Sequence, residues 1–296
     1  MSTTPTPITR ERLDLEICRT KISLSTVRRI DLDFHLHERS LPPIVFLHGF
    51  GGTKEDYLDI QFQDRFNGRS FLAYDSPGHG ESTCDDPTRI SMSFLVDVAE
   101  ALINALLGSS ASFYLVGHSM GGLVSLLLAQ KCRKGRVLGF VNIKGNLAPE
   151  DCFLSRQIYQ YPSDSETADG AAKDFLEAFL DRAKRSGYYG DPIYAAGFLS
   201  KVPNIHIVRP TLTSMVSTTD NATPGLLDQF LALPCPKMYM YGEQFSSLSY
   251  LPKLEQEEGV ELAMIPHAGH FIMYTNPVGM WDRIYGFIQR IENGRV

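Results

Sequence analysis

One stretch constrains this chain more than any other: Leu115-Val116-Gly117-His118-Ser119-Met120-Gly121-Gly122. Apolar residues run into a Gly-x-Ser-x-Gly core, and a helical pattern, Leu123 to Lys131, runs out of it. That is the pattern of a strand turning sharply into a helix, which lifts one serine hydroxyl off a sheet. Glycines at 117 and 121 suit such a turn, because unusual backbone angles and close helix–strand packing both exclude bulk. A Gly/Ser-rich turn can match five positions without any chemistry, so the rest of the chain has to supply partners.

The flanking segments alternate between strand and helix patterns. Arg12 to Thr26 and Arg28 to Glu38 contain period-two stretches, Leu13 to Ile17 and Ile30 to Phe34, which predict an antiparallel pair at a sheet edge. Ile44 to Leu47 and Ser70 to Tyr74 read as strands covered on both faces. They end in His48-Gly49-Phe50-Gly51-Gly52, followed by a polar helix-like segment at 53–66, and in Asp75-Ser76-Pro77-Gly78-His79-Gly80-Glu81-Ser82. Ser91 to Leu107 has helical spacing, Ser112 to Val116 and Val137 to Ile143 read as strands, and Leu123 to Cys132 as a helix. This rhythm predicts an α/β fold with a mainly parallel, doubly wound sheet.

The rhythm then breaks. From about Leu147 to Asp228 helical patterns recur without buried strands, Ala171 to Arg185 being the clearest, and aromatic residues such as Phe153, Phe179 and Tyr194 are frequent. This predicts an inserted helical cap. Strand–helix order resumes at Lys237 to Tyr241, Leu248 to Gln256, Val260 to Ile265 and Pro277 to Ile291. The expected division is a flexible tail at 1–11, a core at 12–146, a cap at 147–228 and the rest of the core at 229–296.

Composition narrows the partners. The chain has 296 residues, 43% hydrophobic and 21% charged, with a net charge of −6 and no basic block. It can bury a sizeable core, and nothing favours nucleic acid or an anionic membrane. Five scattered cysteines without metal-ligand spacing point to a reducing, cytoplasmic setting. The Thr/Pro-rich start lacks an apolar signal core, and no stretch is apolar for the length of a bilayer. Oligomeric state is not legible.

His48-Gly49-Phe50-Gly51-Gly52, the Asp75–Ser82 loop, the serine turn and Gly269-His270-Phe271 occur in this order, and together they resemble the α/β-hydrolase superfamily over roughly residues 12–146 and 235–293. The resemblance implies Ser119 as nucleophile, His270 as its base, and the backbone N–H groups of Phe50 and Met120 as an oxyanion hole. His267 is a less suited alternative base. His118 is expected to pack or line the pocket, and His79 to be structural. His35 and His37 share a strand face but have no carboxylate or third ligand nearby in sequence. No metal and no cofactor are expected.

A triad also needs an acid. The family's usual slot, three residues beyond Gly242, holds Phe245, and the less common slot, at the end of strand 137–143, is best matched by Lys144. Glu243, a cap acid such as Glu150 or Asp151, or no acid at all remain open. Lys144 is read as a solvated strand-end lysine or, if desolvated, as a base or electrostatic clamp on an enolate. The expectation is a serine-dependent enzyme hydrolysing an ester, thioester or lactone of a small, fairly apolar metabolite, a metabolite-tailoring role. The alternatives are a non-hydrolytic lyase, cyclase or isomerase of a carbonyl metabolite, and a hydrolase-like ligand receptor.

Overall fold

The computed structural model describes residues 8–29, 41–160, 168–187 and 190–294. The edge pair is present, but displaced along the chain. Strands β1 (Thr9–Ile17) and β2 (Thr20–Arg29) are antiparallel with Ile17 opposite Thr20. The turn falls inside the first expected strand, Arg12 to Thr26, at Cys18 and Arg19, which both have positive φ (51° and 67°), as suits a two-residue hairpin. The second stretch, with His35 and His37, lies mostly outside the described residues.

The remaining strands are β3 (Ile44–Leu47), β4 (Phe71–Tyr74), β5 (Thr83–Cys84), β6 (Phe113–His118), β7 (Val137–Ile143), β8 (Lys237–Gly242) and β9 (Val260–Ile265). Their order in the sheet is β1-β2-β4-β3-β6-β7-β8-β9, with β5 beside β2. From β4 to β9 every pairing is parallel. Ile44 to Phe46 and Leu115 to Val116 are fully buried, as strands covered by helices on both faces must be. Burying each such side chain contributes about 1.5–3 kcal/mol.

Helices α1 (Met92–Leu107) and α2 (Met120–Lys131) precede β7. Between β7 and β8 the described residues form α3 (Ala168–Lys184), α4 (Asp191–Lys201), α5 (Val208–Asp220) and α6 (Leu226–Leu231), with short 3-10 turns and no strand. Phe175, Leu180 and Ala183 of α3 are buried, so the apolar face read from 171–185 faces inward. The chain closes with α7 (Leu251–Gln256), α8 (Ile272–Thr275) and α9 (Pro277–Glu292). The polar segment after β3 forms 3-10 turns, Lys54–Phe62 and Asp64–Phe66, instead of a regular helix.

This topology selects the site. The chain leaves β3 for β4 on one side and reaches β6 on the other, so strand order reverses between β3 and β6. In a parallel sheet that leaves a crevice outside the carboxyl ends of those strands, where ligands bind. The loops after β3 and β6 both open there.

Candidate active site

Ser119 sits between β6 and α2 with φ 52° and ψ −117°. For a non-glycine residue such backbone costs on the order of 1–3 kcal/mol and persists only where the surroundings impose it. They do so here: Ser119 N–H donates to Ile143 O at 3.0 Å, and Leu123 N–H donates to Ser119 O at 3.1 Å. A Cβ on Gly121 would run into the carbonyl oxygens of Leu47 and His48, so glycine lets α2 begin close against β3. Met120 opens α2, and N–H groups of a first helical turn have no acceptor within the helix.

The loop after β3 is held from below. His48 is buried; its Nε2 accepts from Ser76 N–H at 2.8 Å, which leaves Nδ1–H to donate to Gly49 O at 2.7 Å. Asp75, wholly buried, accepts from Lys54 N–H, from Lys54 Nζ at 2.7 Å and from Glu81 N–H. The two loops singled out in the sequence thus brace one another. The Phe50 ring lies edge-on to His79 at 5.6 Å, and His79 is buried with Nδ1 near Pro77 O, in keeping with a structural part.

His270 and Ser119 line one cavity, together with Phe50, Asp151, Phe153, Phe179, Asp191, Tyr194 and Phe271. The cavity continues past His270 into a wider opening bordered by Glu150, Arg182, Gln244 and Phe245. His118, whose ring lies 4.8 Å from that of His270, donates from Nε2 to the His270 carbonyl oxygen at 2.9 Å. The histidine beside Ser119 therefore fixes the backbone of the second histidine. Nothing in the local sequence signals that contact.

Among the described residues no acid completes a triad. His270 Nδ1 is buried and has no hydrogen-bond partner among the described residues. Phe245 meets the His270 ring edge-on at 6.0 Å, and Lys144 Nζ sits 4.8 Å over the Phe245 ring. Burial pushes the His270 pKa well below the ordinary histidine range, and the neighbouring His118 and the Lys144 cation push it the same way. Glu243 is turned elsewhere, its Oε1 lying 3.7 Å from His267 Nδ1.

Lys144 is not the solvated strand-end residue that the sequence suggested. Its side chain is 1% exposed and paired with Asp151, which is 2% exposed. Asp151 also accepts from Leu147 N–H, Ala148 N–H and Tyr250 O–H, all at 2.9 Å. Asp151 thus serves Lys144 and the first residues after β7, not His270. Asp191 was not singled out in the sequence; burial raises its carboxyl pKa at the cavity wall, opposed by a hydrogen bond from Ser186.

The buried histidines make a prediction for stability. Burial holds His118 down to about 4, and burial with the nearby His48 ring holds His79 down to about 3. Unfolded histidine titrates near 6.5. Between pH 6.5 and 5 the unfolded chain therefore binds protons that the native state refuses, and stability falls on acidification. Each histidine contributes up to about 1.4 kcal/mol per pH unit there. Urea midpoints should drop from pH 6.5 to 5, with a shallower drop in His118→Gln. A drop of the same steepness in both proteins would be the contrary result.

Among the described residues no three His, Cys, Asp or Glu are placed to hold a metal ion, and no helix is long and apolar enough to cross a membrane. The chain is 30% identical over 253 residues, 82% of its length and 92% of the relative's, to 2-succinyl-6-hydroxy-2,4-cyclohexadiene-1-carboxylate synthase of Salmonella heidelberg, and equally to that of Salmonella agona. Its fold is similar to that of a carboxylesterase of the thaumarchaeon Nitrososphaera gargenis (TM-score 0.72, 20% identity, 95% of this chain and 100% of that one). A thermophilic esterase of Thermogutta terrifontis is similar too (TM-score 0.69, 20% identity, 95% and 99%). Residues 44–283 match the model of the alpha/beta hydrolase family, so the chain belongs to that family of enzymes.

Proposed function

We propose that this enzyme acts at the carbonyl group of a small, largely apolar metabolite held under the helical segment 147–228, which serves as a cap. The reading we favour is a non-hydrolytic conversion of lyase, cyclase or isomerase type in place of efficient ester hydrolysis. The observation that carries it is the buried His270 Nδ1, which has no hydrogen-bond partner among the described residues and lies near Phe245, over which Lys144 sits. In a serine hydrolase the triad carboxylate holds the Nδ1–H tautomer and stabilises the imidazolium, and its loss costs about 10⁴ in rate. His270 receives neither service.

A neutral imidazole can still take a proton at Nε2 for the length of one transfer. The backbone N–H groups of Phe50 and Met120 would share the developing negative charge. Ser119 Oγ would take the proton from the carbon next to the substrate carbonyl while passing its own to His270 Nε2. The enolate so formed expels a leaving group that recovers the proton from His270, adds to a second carbonyl whose oxygen recovers it, or is reprotonated at carbon. The 30% identity to an enzyme named as a synthase supports the same reading.

Hydrolysis of an ester, thioester or lactone is the second reading, favoured by the strained φ that presents Ser119 to the cavity. Ser119 Oγ would attack the carbonyl carbon, pass its proton through His270 to the leaving oxygen or sulfur, and release the acyl group to water. A fluorophosphonate probe and short-chain nitrophenyl esters separate the two. We expect slow labelling of Ser119, lost in Ser119→Ala, with ester turnover at least about 10³-fold below the usual 1–10³ s⁻¹. Labelling should stay level from pH 8 to pH 6, because burial, His118 and Lys144 hold the His270 pKa well below the ordinary histidine range. Turnover within the usual range would overturn the favoured reading, and an unlabelled Ser119 would remove it from both.

A further inference from the structure

We propose that Tyr194, on α4, is a positioning residue that sets the loop whose Phe50 N–H faces the substrate oxygen. This rests on the proposed part of Phe50. Tyr194 is 2% exposed, and its hydroxyl donates to Phe50 O at 2.9 Å across 144 residues of sequence. The carbonyl it holds begins the peptide unit that leads into Gly51. Gly51 has φ +74°, and a Cβ there would run into Tyr194 Oη and the Phe198 ring. The loop is therefore shaped against α4 and not by its own sequence alone.

The same ring reaches the histidine side. Tyr194 stacks on Phe271 with centroids 4.1 Å apart and planes 17° from parallel. Phe271 follows His270 directly and meets its ring edge-on at 5.0 Å. One side chain of the helical segment thus touches both loops that carry the reacting groups. Its helix is anchored independently: Lys201 Nζ donates to Asp56 Oδ1 at 2.7 Å, and Gly80 N–H donates to Lys201 O at 2.7 Å. The position of α4 and the orientation of the Phe50 peptide are tied together in this arrangement.

Tyr194→Phe is the test, since it keeps the stacked ring and removes only the donor. Labelling by the fluorophosphonate should slow about tenfold at saturating probe, the size expected of one lost hydrogen bond, with the half-saturating probe concentration unchanged. Amide hydrogen exchange in a peptide spanning 47–53 should quicken by about the same factor, while exchange in α9 stays as in the wild type. Unchanged labelling at an unchanged exchange rate overturns the proposal, as does slowing that appears only in probe affinity. A wild-type protein that takes no label at Ser119 defeats the functional reading, and the exchange measurement then decides the loop clamp by itself.

Discussion

Nitrophenyl ester hydrolysis should rise by about 10²–10⁴ in Lys144→Glu/Asp151→Asn relative to the native chain, the upper figure being the value of a triad carboxylate. Lys144 directly follows β7, and its cation already acts on His270. A carboxylate at that position would reverse the field on the ring, favour the imidazolium and offer an acceptor to Nδ1. The second change is required because Asp151 is buried against the residue being replaced. Lys144→Glu alone would set two buried carboxylates side by side, raising the pKa of one and weakening the fold. Asparagine at 151 removes that charge and still offers one oxygen to the N–H groups of Leu147 and Ala148. Initial rates on a short-chain ester, with far-ultraviolet dichroism to verify folding, decide the matter. A folded double variant no faster than the native chain rules out the β7 end as an acid position.

Lys144→Met is expected to destabilise the protein by about 3–5 kcal/mol, because it strands the Asp151 carboxylate in the interior. Against a typical total of about 5–15 kcal/mol this is a large share. Three polar donors remain on Asp151, from Leu147, Ala148 and Tyr250, but none carries charge. Asp151→Asn should cost less, since Lys144 keeps its place over the Phe245 ring. The double change Lys144→Met/Asp151→Asn should fall short of the sum of the two by about 1–3 kcal/mol, the signature of directly coupled sites. Urea unfolding of the four proteins supplies the cycle. Strict additivity, or a Lys144→Met protein as stable as the native one, would mean that water reaches the pair and screens it.

The Lys144 pair also marks where sequence reading stops. The strand that leads into Lys144, at 137–143, is legible from its apolar run, and so is the departure from the family's acid slots, where Phe245 and Lys144 stand. The partner is not legible. Asp151 is only seven residues on, yet its other ties include Tyr250, 99 residues away, which itself meets Tyr239 through their hydroxyls. Glu243 shows the converse. Standing two residues before the family's acid slot left it open as a partner of His270, but the turn after β8 directs it to His267. The edge hairpin lies elsewhere than expected for a local reason: no glycine or proline marks the turn at Cys18 and Arg19, and its one sign is that the apolar positions shift from 13, 15 and 17 to 22 and 24 across it.

Short-range physics accounts for what could be read without coordinates. Glycine spacing around Ser119, the apolar runs of the parallel strands and the period of the helices each depend on neighbours a few residues apart, so the alternating strand–helix order and the strand–turn–helix at Ser119 follow from the chain itself. Everything that decides the chemistry joins distant segments. His118 on the His270 carbonyl, Lys144 on Asp151, Tyr194 on Phe50 and a His270 Nδ1 without a partner among the described residues are products of packing. A side chain's charge and its acceptors are set by what the fold brings within a few ångströms of it, and linear order does not carry that distance.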